Sequence, residues 1–84
     1  PFGSLVELGI IKPGTTIFDH KKKISAKIMA DGSIKHAQTE GSIHKVAATI
    51  LGAESCNGWT FWHYNLDGQS VPIDHLRQRL ISNN

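Results

Sequence analysis

Ser42, His44, Lys45, Asn57 and Trp59 are the residues of this chain whose types and spacing suit chemistry with a partner. A serine hydroxyl and a lysine ammonium at the start of a helix can hold a phosphate, because free first-turn amides and the helix dipole already favour an anion there. Lys45 opposes that dipole, a local cost that points to an anionic partner. An asparagine can donate and accept at an adenine edge, and a tryptophan can stack on a base. The chemistry implied is nucleic-acid binding rather than bond making. Each residue also has a plainer use: Ser42 as a helix cap, Lys45 as solvated charge, Asn57-Gly58 as a turn, and Trp59 as core.

The elements that must position these residues can be read from periodicity. Ser42 is a good N-cap, and Ile43, Val46, Ala47, Ile50 and Leu51 follow as one apolar stripe, predicting a helix over Ser42–Leu51 that Gly52 ends. His44, Lys45 and Thr49 fall on its opposite face. Upstream, residues 2–9 read as a short amphipathic segment with Leu5 and Leu8 inward and Gly9 as its stop. Pro13-Gly14 marks a turn. Thr15–Phe18 and Ile24–Ala30 read as strands joined by the polar tip Asp19–Lys23, and Asp31-Gly32 signals a hairpin into a strand near Ser33–Ala37. Thr39–Gly41 read as lead-in to the helix.

Downstream, Thr60–Tyr64 reads as a strand, Asp67-Gly68 as a tight turn, and Ser70–Ile73 as a short strand that Pro72 confines to an edge. Strand alternation would put Trp59 and Trp62 on opposite faces, with Trp62 packed inside and Trp59 exposed beside the turn. Asp74–Ile81 closes as a helix with Leu76, Leu80 and Ile81 inward, and Ser82-Asn83-Asn84 as a frayed end. The expected class is α+β: a small antiparallel sheet of about five short strands with two to three helices packed on one face.

Eighty-four residues make one small domain with a single core. With 39% hydrophobic and 19% charged residues the composition is that of a folded globular chain. No apolar run approaches the ~20 residues that span a bilayer, so no membrane role is expected. Pro1 in place of an initiator Met suggests a fragment of a longer chain. Cys56 is the single cysteine, consistent with a reducing cytoplasm. A net charge of +2 and a sequence pI of about 9.0 favour a polyanion only weakly. Distribution matters more: Lys21, Lys22 and Lys23 form one basic cluster, which could be a solvated hairpin tip or a phosphate contact, and Arg77 and Arg79 form another, read chiefly as solvated charge with phosphate contact as the lesser alternative.

The strings G-S-I-H-K (41–45) and C-N-G-W-T-F-W (56–62), with the opening P-F-G-S-L-V-E-L-G-I-I-K-P-G-T, the middle A-K-I-M-A-D-G-S-I and the closing I-D-H-L-R-Q-R-L, resemble the C-terminal domain of bacterial cell-cycle-regulated DNA adenine-N6 methyltransferases. That domain is similar in turn to the restriction enzyme adenine methylase associated module. The likeness runs in order through essentially all of the chain. It implies a DNA-binding appendage, residues 1–84, at the C-terminal end of a restriction-modification-like enzyme. The family methylates adenine within G-A-N-T-C using S-adenosylmethionine. The partners implied are double-stranded DNA and the catalytic domain of the parent chain, with a homodimer formed through the parent as a further possibility. Ser42, His44, Lys45, Asn57, Trp59 and Lys21–Lys23 are the expected DNA-binding residues, and Ala at Ser42, Asn57 or Trp59 is expected to weaken DNA binding more than folding.

No self-contained catalyst is expected. Amino-methyltransferases carry an Asp/Asn/Ser-Pro-Pro-aromatic tetrapeptide, and Pro1, Pro13 and Pro72 are never adjacent. The eight glycines contain no G-x-G pair, and the chain is too short for a doubly wound cofactor domain. So no cofactor is expected here, with S-adenosylmethionine belonging to the parent enzyme. His20, His36, His44, His63 and His75 lack metal-ligand spacing and read as surface residues or polar sheet edges. Three readings remain: a DNA-binding module that assists duplex capture and target recognition, a protein-interaction or dimerisation module, and a reader of N6-methyladenine in DNA.

Overall fold

Alternation of apolar and polar residues writes the sheet. In Thr16–Phe18 (β1) and Ser25–Ile28 (β2), Ile17, Ala26 and Ile28 are buried while Thr16, Ser25 and Lys27 are exposed. The computed structural model describes the backbone of residues 1–82 and the side chains of residues 1–79. β2 turns through Ala30-Asp31-Gly32 into Ile34–His36 (β3), with Met29 and Ser33 paired at 2.8 Å and Gly32 at φ +87°. This is a three-residue connection with glycine at the left-handed position, one residue longer than the two-residue hairpin expected.

β3 returns as Thr39–Gly41 (β4), a strand that the sequence did not signal. Its two-residue turn uses Ala37 at φ +53°, a conformation normally left to Gly or Asn, so no turn signature precedes it. After two helices the chain adds His63–Leu66 (β5) and Gln69–Pro72 (β6), joined by Asp67-Gly68 with both residues at positive φ. The strand order is β4-β3-β2-β1-β5-β6, antiparallel throughout. Pro72 lies on the edge strand, where its missing N–H is harmless.

Among the described residues four helices complete the α+β domain: Phe2–Glu7 (α1), Ile43–Leu51 (α2), Gly58–Phe61 (α3) and Asp74–Ser82 (α4). One core takes Leu5 from α1, Ile17, Ile28 and Ile34 from the sheet, Val46 from α2, and Trp62 and Ile73 from the segments flanking β5 and β6. Two inward assignments are corrected. Leu8 is 64% exposed because α1 ends before it, leaving Phe2, Leu5 and Val6 to face the core. Leu51 is 56% exposed, and Ala48 takes the buried position instead. Leu76 is buried as expected. The inward packing expected of Leu80 and Ile81 falls outside the described side chains. α4 includes Ser82, and Asn83 and Asn84 lie outside the described residues.

The expected Thr60–Tyr64 strand is replaced by α3 and the start of β5. Aromatic residues favour strands, but a local cap decides here. The Asn57 side-chain oxygen accepts from the Trp59 amide at 3.0 Å, and Phe61 and Trp62 donate to Asn57 and Gly58 carbonyls at 3.1 Å. Helical spacing then removes the alternation that would have separated the two tryptophans. Both are buried, Trp62 fully and Trp59 at 7% exposed, which overturns the exposed placement of Trp59.

Tyr64 is also buried, and its hydroxyl finds no hydrogen-bond partner among the described residues. Burial pushes its phenol above the ordinary range, with the positive charge of Arg79 acting against the shift. An unpaired buried hydroxyl costs about 1–3 kcal/mol. Tyr64→Phe should therefore raise the midpoint of urea unfolding, and a lowered midpoint would show that the hydroxyl is satisfied.

Candidate nucleic-acid interface

α2 begins where β4 ends, and Ser42 makes the junction. Its backbone is extended (φ −67°, ψ 161°) and its Oγ accepts from the Lys45 amide at 3.0 Å. The cap therefore exists as expected, leaving the hydroxyl proton free to donate outward. At the other end Gly52 takes φ +67°, and the Ala53 amide returns to the Ala48 carbonyl at 2.9 Å. Ser42, His44 and Lys45 are exposed on the first turn, with the Lys45 stem lying beside Gly41.

α3 docks onto that same turn through three contacts. Gly58 donates its amide to His44 Nδ1 at 2.9 Å, so Nδ1 is the acceptor and the proton of the neutral ring sits on Nε2. Trp62 Nε1 donates to the Ile43 carbonyl at 2.9 Å inside the core. Gly58 approaches so closely that a Cβ there would lie 2.6 Å from the Ile43 carbonyl carbon and oxygen. Asn57-Gly58 is thus a cap and a close-packing residue. Asn57 is exposed at φ −80°, and neither residue takes the positive φ that the turn reading allowed.

Trp59 meets Phe2 edge-on at 6.0 Å between ring centroids, and the Arg77 guanidinium lies over the Trp59 ring at 4.5 Å from its centroid. Arg77 also pairs with Asp74 in the first turn of α4, and its side chain stays 42% exposed. Sequence reading took it chiefly as solvated charge, with phosphate contact as the lesser alternative, and left it out of the expected site. Nothing local to Arg77 signals a tryptophan eighteen positions earlier; only the packing of α4 brings them together. The remaining guanidinium donors of Arg77, the Lys45 ammonium and the Ser42 hydroxyl are all available to an anion.

Between these elements lies an open hollow of about 220 Å³, lined by Phe2, Ile43, Trp59, Ser42, His44 and the glycines Gly3 and Gly32, with Pro1 at its edge. Gly32 touches Gly3 so closely that a Cβ on Gly32 would meet Gly3 Cα at 2.7 Å. That contact fixes α1 against the β2–β3 turn and shapes the wall of the hollow.

Five of the expected residues are therefore neighbours: Ser42, His44, Lys45, Asn57 and Trp59. Lys21, Lys22 and Lys23 are not among them. β2 runs from their tip at one end to the Gly32 turn at the other, so the lysine tip stands at the far end of the sheet. All three lysines are exposed. The tip is shaped by Asp19: burial works against its charge, but the Ile24, Lys23 and Lys21 amides together outweigh it and hold its carboxyl below the ordinary range. Of the histidines, His63 is buried on β5 with His20 tilted against it at 5.3 Å, contrary to a surface placement. Among the described residues no three metal-ligating side chains gather, and no helix is long and apolar enough to cross a membrane.

The sequence is 29% identical over 77 residues to the type II methyltransferase M.HinfI of Haemophilus influenzae, covering 92% of this chain but 21% of that relative. The chain thus spans about a fifth of the length of the enzyme it matches. The family model of the restriction enzyme adenine methylase associated domain matches residues 1–84. A match over the whole chain, carrying the α2–α3 arrangement within it, means that the protein belongs to the restriction enzyme adenine methylase associated family.

Proposed function

We propose that this chain is a non-catalytic DNA-binding domain of an S-adenosylmethionine-dependent adenine-N6 DNA methyltransferase, holding duplex DNA while a separate catalytic domain takes the target adenine out of the stack. The observation that carries this reading is the gathering of Ser42, Lys45, Asn57 and Arg77 around the Trp59 and His44 contacts, with Arg77 paired to Asp74. On this reading Ser42, Lys45 and Arg77 contact phosphate, and Asn57 lies at their edge within reach of a base or phosphate. Trp59 positions Arg77 rather than stacking on a base, since its ring is buried. The parent enzyme is proposed to be cytoplasmic, to act at G-A-N-T-C in the cell-cycle-regulated manner its resemblance implies, and to carry this domain at its C-terminal end.

The chain, monomeric or weakly associating, should bind duplex DNA with little sequence preference, because it offers no extended reading helix. Gel shifts at low and moderate salt test this, with binding weakening steeply as salt rises. Absence of a shift at low salt would count against the reading. The chain should also neither bind S-adenosylmethionine nor methylate adenine. In the parent, removal of residues 1–84 should leave cofactor binding intact while DNA capture falls, as cofactor titration of the truncated enzyme would register. Loss of cofactor binding in a folded truncated enzyme would instead mean that this domain helps build the active site.

The hollow between α1, α2 and Trp59 supports a second reading, a reader of N6-methyladenine, since it is apolar and lies beside the polar first turn of α2. Tighter binding to methylated than to unmethylated duplex would favour it. The dimerisation reading loses the exposed tryptophan on which it rested, because Trp59 is buried.

A further inference from the structure

The outer face of the sheet carries a feature that the α2 site does not use. Lys27 on β2 and Lys35 on β3 are direct cross-strand partners, and both are exposed. Like charges placed directly opposite each other weaken a sheet. Their row continues to Thr16 on β1 and to Glu40 on β4, so one carboxylate faces two ammonium groups. Among the described residues neither lysine reaches a carboxylate within 4.0 Å. Exposed Ser25, two residues before Lys27, extends the same face towards the Lys21–Lys23 tip, where three more cations follow one another without an intervening acid.

The opposite face of these strands is occupied. Ile17, Ala26, Ile28 and Ile34 share one buried core with Ile43, Val46 and Ala47 of α2. The lysine row and the α2 first turn therefore stand on opposite sides of that core, in a domain whose smallest extent is 22 Å. Lys27 and Lys35 therefore lie on the side of the sheet turned away from α2.

We propose that the exposed sheet face, with Lys27 and Lys35 at its centre, is a second nucleic-acid surface that lies against the phosphate backbone of a second duplex segment. The domain then bridges two segments, one at α2 and one on the sheet. Hydroxyl- and ammonium-bearing strands suit backbone phosphates rather than base edges, so this contact carries charge and not sequence. It rests on the DNA-binding reading above, and the outcomes below separate the two.

The test uses two short duplexes, one carrying a donor dye and the other an acceptor, mixed with the wild-type chain, with Lys27→Gln/Lys35→Gln, with Lys27→Arg/Lys35→Arg, and with Lys45→Gln/Arg77→Gln. The proposal expects energy transfer between duplexes with the wild type, its loss in the glutamine pair at the sheet, and its return in the arginine pair. It also expects the salt slope of duplex binding to fall by about 2 when the two lysines are neutralised, close to one per phosphate contact. Glu40→Gln should strengthen bridging by removing the one acidic member of the row. Circular dichroism should find the sheet variants folded, since every replaced side chain is exposed and the glutamine pair also removes a like-charge contact. Wild-type binding with no transfer, or transfer that the glutamine pair leaves unchanged, overturns the sheet surface and leaves the α2 reading standing. Binding that survives loss of Lys45 and Arg77 but falls with Lys27 and Lys35 supports the sheet surface and refutes the α2 reading. No duplex binding by the wild type overturns both.

Discussion

A chain in which Trp62 is replaced by Ala is expected to be mostly unfolded at room temperature, or to unfold at very low urea. Trp62 is fully buried, packs edge-on against Phe61 at 4.8 Å between ring centroids, and holds the Ile43 carbonyl through its indole N–H. Truncating a buried tryptophan costs about 3–5 kcal/mol, and leaving a buried carbonyl without its donor adds about 1–3 kcal/mol. A domain of this size has a total stability of about 4–13 kcal/mol. The loss therefore takes up most of what is available. Trp62→Phe separates the two effects, because it restores much of the packing but not the donor, and it should be intermediate. Urea unfolding followed by circular dichroism measures both. A loss under about 1 kcal/mol for Trp62→Ala would mean that the α2–α3 junction is not the centre of the core.

Gly58→Ala is the second large effect, and its sign runs against the usual expectation. Within a helix, Gly→Ala ordinarily gains about 0.5–1 kcal/mol. At Gly58 the new methyl would sit 2.6 Å from the Ile43 backbone and 2.8 Å from its Cγ1, so backbone has to move. Such overpacking costs about 1–3 kcal/mol. It also prises apart the Gly58–His44 and Trp62–Ile43 hydrogen bonds that share this junction. The clash outweighs the helix gain, and the variant should unfold at clearly lower urea than the wild type. Gly3→Ala is the matching control: it lies inside α1 with nothing within 4 Å of a new Cβ, so it should be neutral or stabilising. Equal behaviour of the two variants would remove the close α2–α3 approach from the account.

These two residues also mark where sequence reading succeeded and where it stopped. The α2 helix was legible because its signals are local: a serine cap, an apolar stripe and a terminating glycine. The β1–β2 hairpin was legible from alternation and the β5–β6 turn from Asp67-Gly68, although the strand entering that turn was expected at Thr60–Tyr64 and runs His63–Leu66. β4 was not, since its turn relies on Ala37 in a conformation that alanine does not advertise. The Cys56–Trp62 string was recognisable as an unusual motif, but its meaning lay in tertiary contacts. Asn57 reads as a turn residue and acts as a cap, and Gly58 reads as flexible and is there for its missing side chain. Trp59 reads as exposed because strand alternation was assumed, and a single helical turn reverses that. Arg77 could not be placed at all without the packing of α4 over Trp59.

The consequence for mutagenesis is practical. Alanine at Asn57 or Trp59 removes a cap or a buried ring, so those variants report on folding as much as on DNA, contrary to the expectation from sequence. Lys45 and Arg77 keep exposed charged ends and are the cleaner probes, although Arg77 also stacks on Trp59.

The most direct measurement is therefore the salt dependence of duplex binding for the wild type, Lys45→Gln and Arg77→Gln, followed by fluorescence anisotropy of a labelled duplex, with urea unfolding alongside. If these cations contact phosphate, each substitution weakens binding by about 1–3 kcal/mol at low salt and lowers the slope of log affinity against log salt by about 1, with little change in the unfolding midpoint. Unchanged affinity and slope in both folded variants would contradict the assignment of the α2–α4 surface as the DNA-binding face.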